Sequence, residues 1–300
     1  MTLSSSILYD QGKYYDNDNH SYIWSVLTMP IETNVDFSLV EMYFHISPKG
    51  MEEPLLHIPA RQLLDGPVML DVLQQGQTLL RGKGLDISAS YLGLTLFNLV
   101  ATIHLFLAQY NQWLDLELDH LALQVENHGD HSHVGYQIVN VQWKEVPTED
   151  RDLFIELEMR KLFSTLIGPV ITVVAEQAKV NQAMIWNQFA ARMTFVRDYV
   201  LENDPRPHVC EQFSADYEVL TKQFTADVFG RKVNPFVHEP KYIDSPYHEG
   251  KKVLIRSSCC MYYRREEGTK CFSCPILKDS QREEMFIAIK SKQASTATAG

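Results

Sequence analysis

The sequence predicts an α+β fold: an N-terminal half with an antiparallel sheet and helices, a mainly helical second half, and a C-terminal cysteine segment. Three observations lead there. Apolar and polar residues alternate in short runs before residue 147, as half-buried strands require. One uncharged run within that half is far too long for a strand. After Pro147 the apolar spacing lengthens to that of a helix.

The elements follow in order. Residues 1–20 are polar and read as a loose start. In Ser38–Ser47, Val40, Met42, Phe44 and Ile46 alternate with Glu41, Tyr43 and His45, the pattern of a strand. Tyr22–Leu27 is expected to pair with it across Pro30–Asn34. Residues 87–111 form the helical candidate. Leu114, Leu116 and Leu118 then alternate with acidic residues, and the apolar phase slips to Leu121, Leu123 and Val125. Such a slip predicts a β-bulge at Asp119–His120. A second strand is expected over Val134–Val146, with a similar slip after Ile138, and Asn127–His133 joins the two as a hairpin.

Thr148-Glu-Asp opens a helix with acidic residues in its first turn. Val180, Met184, Phe189, Met193, Val196 and Val200 share one helical face, which Pro205 and Pro207 end. Residues 211–229 predict another helix and 230–250 a loop. Ser291–Gly300 is small and polar and predicts a disordered tail. The organisation expected is 1–147, 148–290 and a tail at 291–300. The break at 147 equally fits two lobes of one domain.

Composition removes several function classes. Hydrophobic residues make up 45% and charged residues 22%, values ordinary for a globular chain. The net charge of −11 argues against nucleic acid as a partner, because phosphate binding needs positive surface. No apolar signal-peptide core occurs in the first 25 residues, so the cytoplasm is the expected compartment. The uncharged run after Asp86 could span a bilayer by length. Asn98 and His104 lie at its centre, where polar groups are costly in lipid, so a buried core helix is expected instead. Peripheral contact with the inner face of a membrane is a secondary expectation.

Four of the five cysteines fall within sixteen residues: Cys259, Cys260, Cys271 and Cys274, as C-C-x10-C-x2-C. A disulfide scaffold would spread its cysteines through a shorter, secreted chain. The C-x-x-C half is a compact chelating turn. Neighbouring side chains of a regular strand face opposite ways, so Cys259 and Cys260 share a metal only from a turn or an irregular end. Four thiolates are the usual ligand set of an iron–sulfur cluster. Structural zinc takes four sulfurs too, usually from two C-x2-4-C turns, which an adjacent pair fits less well. A redox dithiol at Cys271 and Cys274 would leave the adjacent pair unexplained. Spacing favours iron–sulfur over zinc and leaves both open.

Arg256-x-x-Cys-Cys, a following Tyr-Arg, and Cys271-x-x-Cys-Pro275 resemble the C-terminal signature of the FhuF-type ferric siderophore reductases. The resemblance implies that Cys259, Cys260, Cys271 and Cys274 ligate a [2Fe–2S] cluster, with Arg256 and Pro275 at flanking family positions. Ile185-Trp186-Asn187-Gln188 resembles the family's Leu-Trp-Gly-Asn helix motif, with Gln188 where the family often has Asn. It implies a ferric siderophore as substrate, and the acidic Bacillus-type members that use citrate-hydroxamate chelates are the most similar. The reaction implied is one-electron reduction of chelated Fe(III), with release of Fe(II) in the cytoplasm. A contrasting expectation is a non-catalytic zinc- or iron–sulfur-containing module that only binds siderophores.

Local charge supports the redox reading. Between Lys251 and Lys278 seven basic residues face two acidic ones, inside a chain of net charge −11. Positive charge would raise the potential of an anionic cluster and steer an anionic chelate or an acidic electron donor. Arg256, Arg264, Arg265 and Lys270 are the candidate chelate contacts, and Tyr262 and Tyr263 candidates to pack on cluster or ligand. A solvated basic face is the plainer alternative. The chain has no dinucleotide fingerprint, and Gly82 and Gly84 do not make a phosphate loop. Electrons are therefore expected from a separate ferredoxin or flavoprotein reductase.

Three features remain. His128, His131 and His133 crowd one hairpin, where exposed histidines are commoner than a metal site. Cys210 near His208 reads as a lone small buried residue rather than a nucleophile. Trp186 reads as core.

Overall fold

The computed structural model describes residues 35–128 and 132–297. The first half holds α1 (Ser38–Phe44), β1 (Ile46–Ser47), β2 (Leu56–Pro59), α2 (Gly66–Leu79), α3 (Leu85–Tyr110) and β3 (Gln112–Leu114). It continues with β4 (Leu121–Asn127), β5 (Ser132–Ile138) and β6 (Trp143–Glu145). The second half adds α4 (Arg151–Leu162), α5 (Gly168–Ala178), α6 (Ala183–Trp186), α7 (Phe189–Asn203) and α8 (Pro207–Glu218). A short hairpin, β7 (Tyr242–Asp244) with β8 (Lys252–Leu254), leads into the cysteine segment, and α9 (Asp279–Ala297) follows it.

Helix α3 is the axis of the molecule. It is apolar on every side, so it is stable only when surrounded. It is long and apolar enough to cross a membrane, yet 94% of its apolar window is buried within the protein. Polar side chains inside it bond to its own turns: Thr102 Oγ1 donates to Asn98 O, and His104 Nδ1 pairs with Val100 O at 3.0 Å. Asn111, in the left-handed conformation at φ 50°, ends it. One face packs on the sheet, where Tyr136 reaches Thr95. Other faces pack on α5, α6 and α8. Gly93 permits the α6 contact, since a Cβ there would collide with Ile185. One continuous apolar core therefore runs from Val40 to Phe236.

The sheet has the order β1-β5-β4-β2, antiparallel except for the parallel pair β1–β5. The β4–β5 hairpin forms as the alternation predicts, with Asn127 opposite Ser132. Several expectations are corrected. Ser38–Ser47 is not a strand: Ser38–Phe44 is helical, and only Ile46–Ser47 pair. Val40 and Phe44, four apart, are buried while Met42 is exposed, which is helical spacing that a period of two mimics. No bulge lies at Asp119–His120. The chain leaves β3 and makes a 3-10 turn at Leu118–His120 before entering β4 in a different sheet. The slip after Ile138 has the same cause, since β5 and β6 belong to different sheets.

The face expected over 180–200 is shared by α6 and α7, which break near Asn187. The helix expected at 211–229 starts earlier, with Pro207 at its first turn, and ends in a π turn at Val219–Gln223. The tail expected at 291–300 is helical to Ala297, where alanines favour continuation. The proposed pairing of Tyr22–Leu27 lies outside the described residues, as does His131. Arg151 at the start of α4 forms a bidentate pair with the buried Asp216 of α8, joining those two helices.

Candidate metal centre

The segment from Ile255 to Lys278 has little regular structure, and its backbone is fixed by surrounding elements. Strand β8 delivers it: Ile255 N–H donates to Lys241 O, and Arg256 N–H to Ser273 O at 3.0 Å. The second bond closes Arg256 directly against the C-x-x-C turn. Cys259 and Cys260 lie in irregular backbone, and Met261 reverses the chain in the left-handed conformation at φ 61°. This is the irregular setting that an adjacent cysteine pair needs in order to act together. Beyond the 3-10 turn at Tyr262–Arg264, the chain runs beside the α2–α3 corner. There Lys83 N–H donates to Arg264 O and Glu266 N–H to Arg81 O, each at 2.8 Å. The second pair of cysteines forms the expected turn, with Cys274 N–H on Cys271 O at 3.0 Å.

All four thiols converge without forming disulfides. Cys274 Sγ and Cys259 Sγ are 3.7 Å apart. A disulfide would require about 2.0 Å. Two sulfurs at about 2.3 Å from one tetrahedral metal stand about 3.8 Å apart, close to the observed spacing. Cys259, Cys260 and Cys274 are buried and Cys271 is half-buried. As free thiols they compete for protons. The bond with Cys271, and then burial, push Cys260 up; the bond with Cys259 pushes Cys274 up; Cys259, bonded by Cys274, is pulled down. A cationic centre taking all four as thiolates would remove that conflict. The donor set therefore fits a four-thiolate metal centre, and geometry alone suits iron–sulfur and zinc alike.

Three supporting residues, Ser90, Ser257 and Arg282, escaped the sequence reading. Ser90, on α3, donates through Oγ to Cys260 O at 2.9 Å in a buried contact. Gln188 Nε2 donates in turn to Ser90 Oγ at 3.1 Å. Gln188 is thus linked through Ser90 to the cysteine backbone. Ser257 Oγ accepts from Ala191 N–H at 3.1 Å and donates to Asn187 O, tying the segment to the start of α7. Arg282, on α9, donates to the carbonyls of Phe272, Cys274 and Leu277 and clamps the C-x-x-C turn. Any signal for these was weak, because a lone Ser or Arg on a helix has no motif.

The basic candidates separate by position. Arg256 lies near Cys260 and favours its ionised form. Arg264 pairs with Asp86 at 3.0 Å and Arg81 with Glu266 at 2.8 Å, so both ion pairs span the seam between the cysteine segment and the α2–α3 corner. Arg265 lies over the Tyr262 ring at 5.1 Å. Lys270 is adjacent in sequence to the half-buried Cys271, and its Nζ reaches Ile276 O in an exposed contact of 3.4 Å. Trp186 is core, within 5.3–6.3 Å of Phe163, Phe189 and Phe229 by ring centroid. Cys210 lies apart, between the carbonyls of Val200 and Asp204.

Residues 256–275 match the family model of the FhuF 2Fe–2S C-terminal domain. The match spans all four cysteines together with Arg256 and Pro275. It settles what geometry left open: the cofactor of this segment is a [2Fe–2S] cluster. No curated protein matches the chain.

Proposed function

We propose, from the match of residues 256–275 to the FhuF 2Fe–2S C-terminal domain, that this chain reduces siderophore-bound Fe(III) to Fe(II). The observation that carries the reading is the convergence of four thiols of which three are buried and one, Cys271, meets the surface. When bound, the cluster supplies one electron at a time, which is the stoichiometry of Fe(III) reduction. Hydroxamate, catecholate and carboxylate oxygens hold Fe(III) tightly because it is small and highly charged; they hold Fe(II) far less well. No proton-transfer residue is required.

The chain's own residues then have distinct tasks. Cys259, Cys260, Cys271 and Cys274 hold the cluster. Arg256 places positive charge beside it, favouring the reduced form. The Cys271 side is where a chelate approaches, with Lys270 steering an anionic ligand of the hydroxamate or citrate-hydroxamate class. Arg264 and Arg265 act mainly to seat the segment on the α2–α3 corner. A separate ferredoxin or flavoprotein reductase restores the electron. The setting this reading carries is the cytoplasm, with peripheral contact at the inner face of the membrane.

Two measurements test this. Purified protein should be red-brown, and its visible absorption should bleach on reduction. A colourless protein with stoichiometric zinc would instead support a binding module without turnover. Dithionite-reduced protein, freed of excess reductant, should be reoxidised anaerobically by ferric hydroxamate or citrate-hydroxamate chelates. Failure of every such chelate to restore the absorption would overturn the reductase reading even with the cluster present.

A further inference from the structure

The β4–β5 hairpin carries a second set of metal donors, remote in sequence from the cysteines. Glu126 and His133 are directly opposed across the antiparallel ladder. Opposed residues share a face of the sheet, with Cβ atoms about 5 Å apart. His128, two residues beyond Glu126, turns to the same place, and its Nε2 is 2.7 Å from Glu126 Oε2. One donor atom from each of the three lies within 4.8 Å of the others.

The surroundings orient this set. Glu53 N–H donates to Glu126 Oε1 at 3.0 Å, which fixes the carboxylate and directs Oε2 to the histidines. The His133 ring is stacked between two others: His128 at 3.9 Å and His45 at 4.2 Å between centroids. Gly135 makes the stack possible. Any Cβ there would meet the carbonyl of His45, and Tyr136 N–H bonds that carbonyl at 2.9 Å. His128 is exposed, which leaves the set open to an arriving ion.

We propose that Glu126, His128 and His133 bind a divalent first-row transition ion. Two imidazoles and one carboxylate with further positions open are a donor set used for Fe(II). Resting on the reductase reading, the ion this site meets is the Fe(II) that the reaction releases.

The test is anaerobic titration of the cluster-loaded, oxidised full chain with Fe(II) alone, read by calorimetry and by iron count after desalting. The expected result is one iron beyond those of the cluster. Glu126→Gln and the His128→Ala/His133→Ala double variant should weaken its binding at least about tenfold, with cluster absorption unchanged. His128→Ala alone, at an exposed position, should show the same direction without threat to folding. No additional iron in the wild type, or equal binding in the variants, overturns the site. The readout uses no siderophore, so it stands or falls separately from the reductase reading.

Discussion

Ser90 Oγ lies 2.9 Å from the carbonyl of Cys260, a contact between residues 170 apart in sequence. It joins the central helix to the second of the adjacent cysteines. Gln188 completes the relay from the helix motif at Ile185–Gln188. Ser90→Ala would leave the Cys260 carbonyl and the Gln188 amide without this shared partner inside the protein. The expected cost is about 1–3 kcal/mol of stability. Because the bond also fixes where Cys260 points, the reduction potential of the centre should shift as well. Denaturant unfolding and a redox titration of the same variant measure the two effects. An unchanged stability would mean that the relay is not formed.

Arg282 is the second structural dependency. Its guanidinium reaches three carbonyls around the C-x-x-C turn and lies over the Phe272 ring. Lysine has one charged nitrogen and cannot serve three diverging acceptors in the same geometry. Arg282→Lys should therefore behave much like Arg282→Ala. Both are expected to lose iron several-fold faster than the wild type to an external chelator, while the helical circular dichroism stays the same. Retention of iron by Arg282→Lys at the wild-type rate would reduce the residue to a point charge.

The distribution of what could be read from sequence follows from range. The C-C-x10-C-x2-C spacing was informative because metal ligation constrains residues close together in the chain. Helix α3 was legible because twenty-five uncharged residues admit few states. The helix at Ser38–Phe44 was misread because seven residues sample too few turns to separate a period of two from 3.6. Leu118–His120 was misread as a bulge because a change of sheet and a bulge displace apolar phase alike. Ser90, Ser257 and Arg282 were missed because their roles exist only once distant helices meet. Likewise, Arg264 reads from sequence as a free cation near the cysteines; only the fold brings Asp86 to it.

That last pairing separates two arginine and lysine roles by experiment. Arg264 and Asp86 span a seam, whereas Lys270 is half-buried beside Cys271, with its Nζ in an exposed contact. Arg264→Ala should lower thermal stability and cluster retention, with little change in the rate of chelate reduction per cluster. Lys270→Glu should do the reverse: cluster content holds, and the second-order rate with an anionic ferric chelate falls several-fold at low salt. The difference should shrink as ionic strength rises, since exposed charges are screened beyond about 10 Å at 0.1 M. Loss of cluster in Lys270→Glu, or a salt-independent rate, would remove Lys270 from chelate steering.

His104 gives the fold a pH dependence of its own. The ring is fully buried in α3, and burial holds its pKa below the ordinary histidine value, against the Val100 carbonyl bond and the nearby Asp216 charge. Arg151, paired with Asp216, also disfavours the charged form. The folded protein thus keeps His104 neutral at a pH where the unfolded chain, near pKa 6.5, takes up a proton. The unfolded state binds more protons, so stability is fully present above about pH 6.5 and declines as pH falls towards the lower folded pKa. The slope from this one residue approaches about 1.4 kcal/mol per pH unit. His104→Leu, which removes the titrating group and keeps an apolar side chain in place, should flatten this part of the curve. Urea unfolding of both proteins between pH 7.5 and about pH 5.5 measures the difference. Parallel curves would show that His104 takes up its proton equally in the folded and unfolded chains.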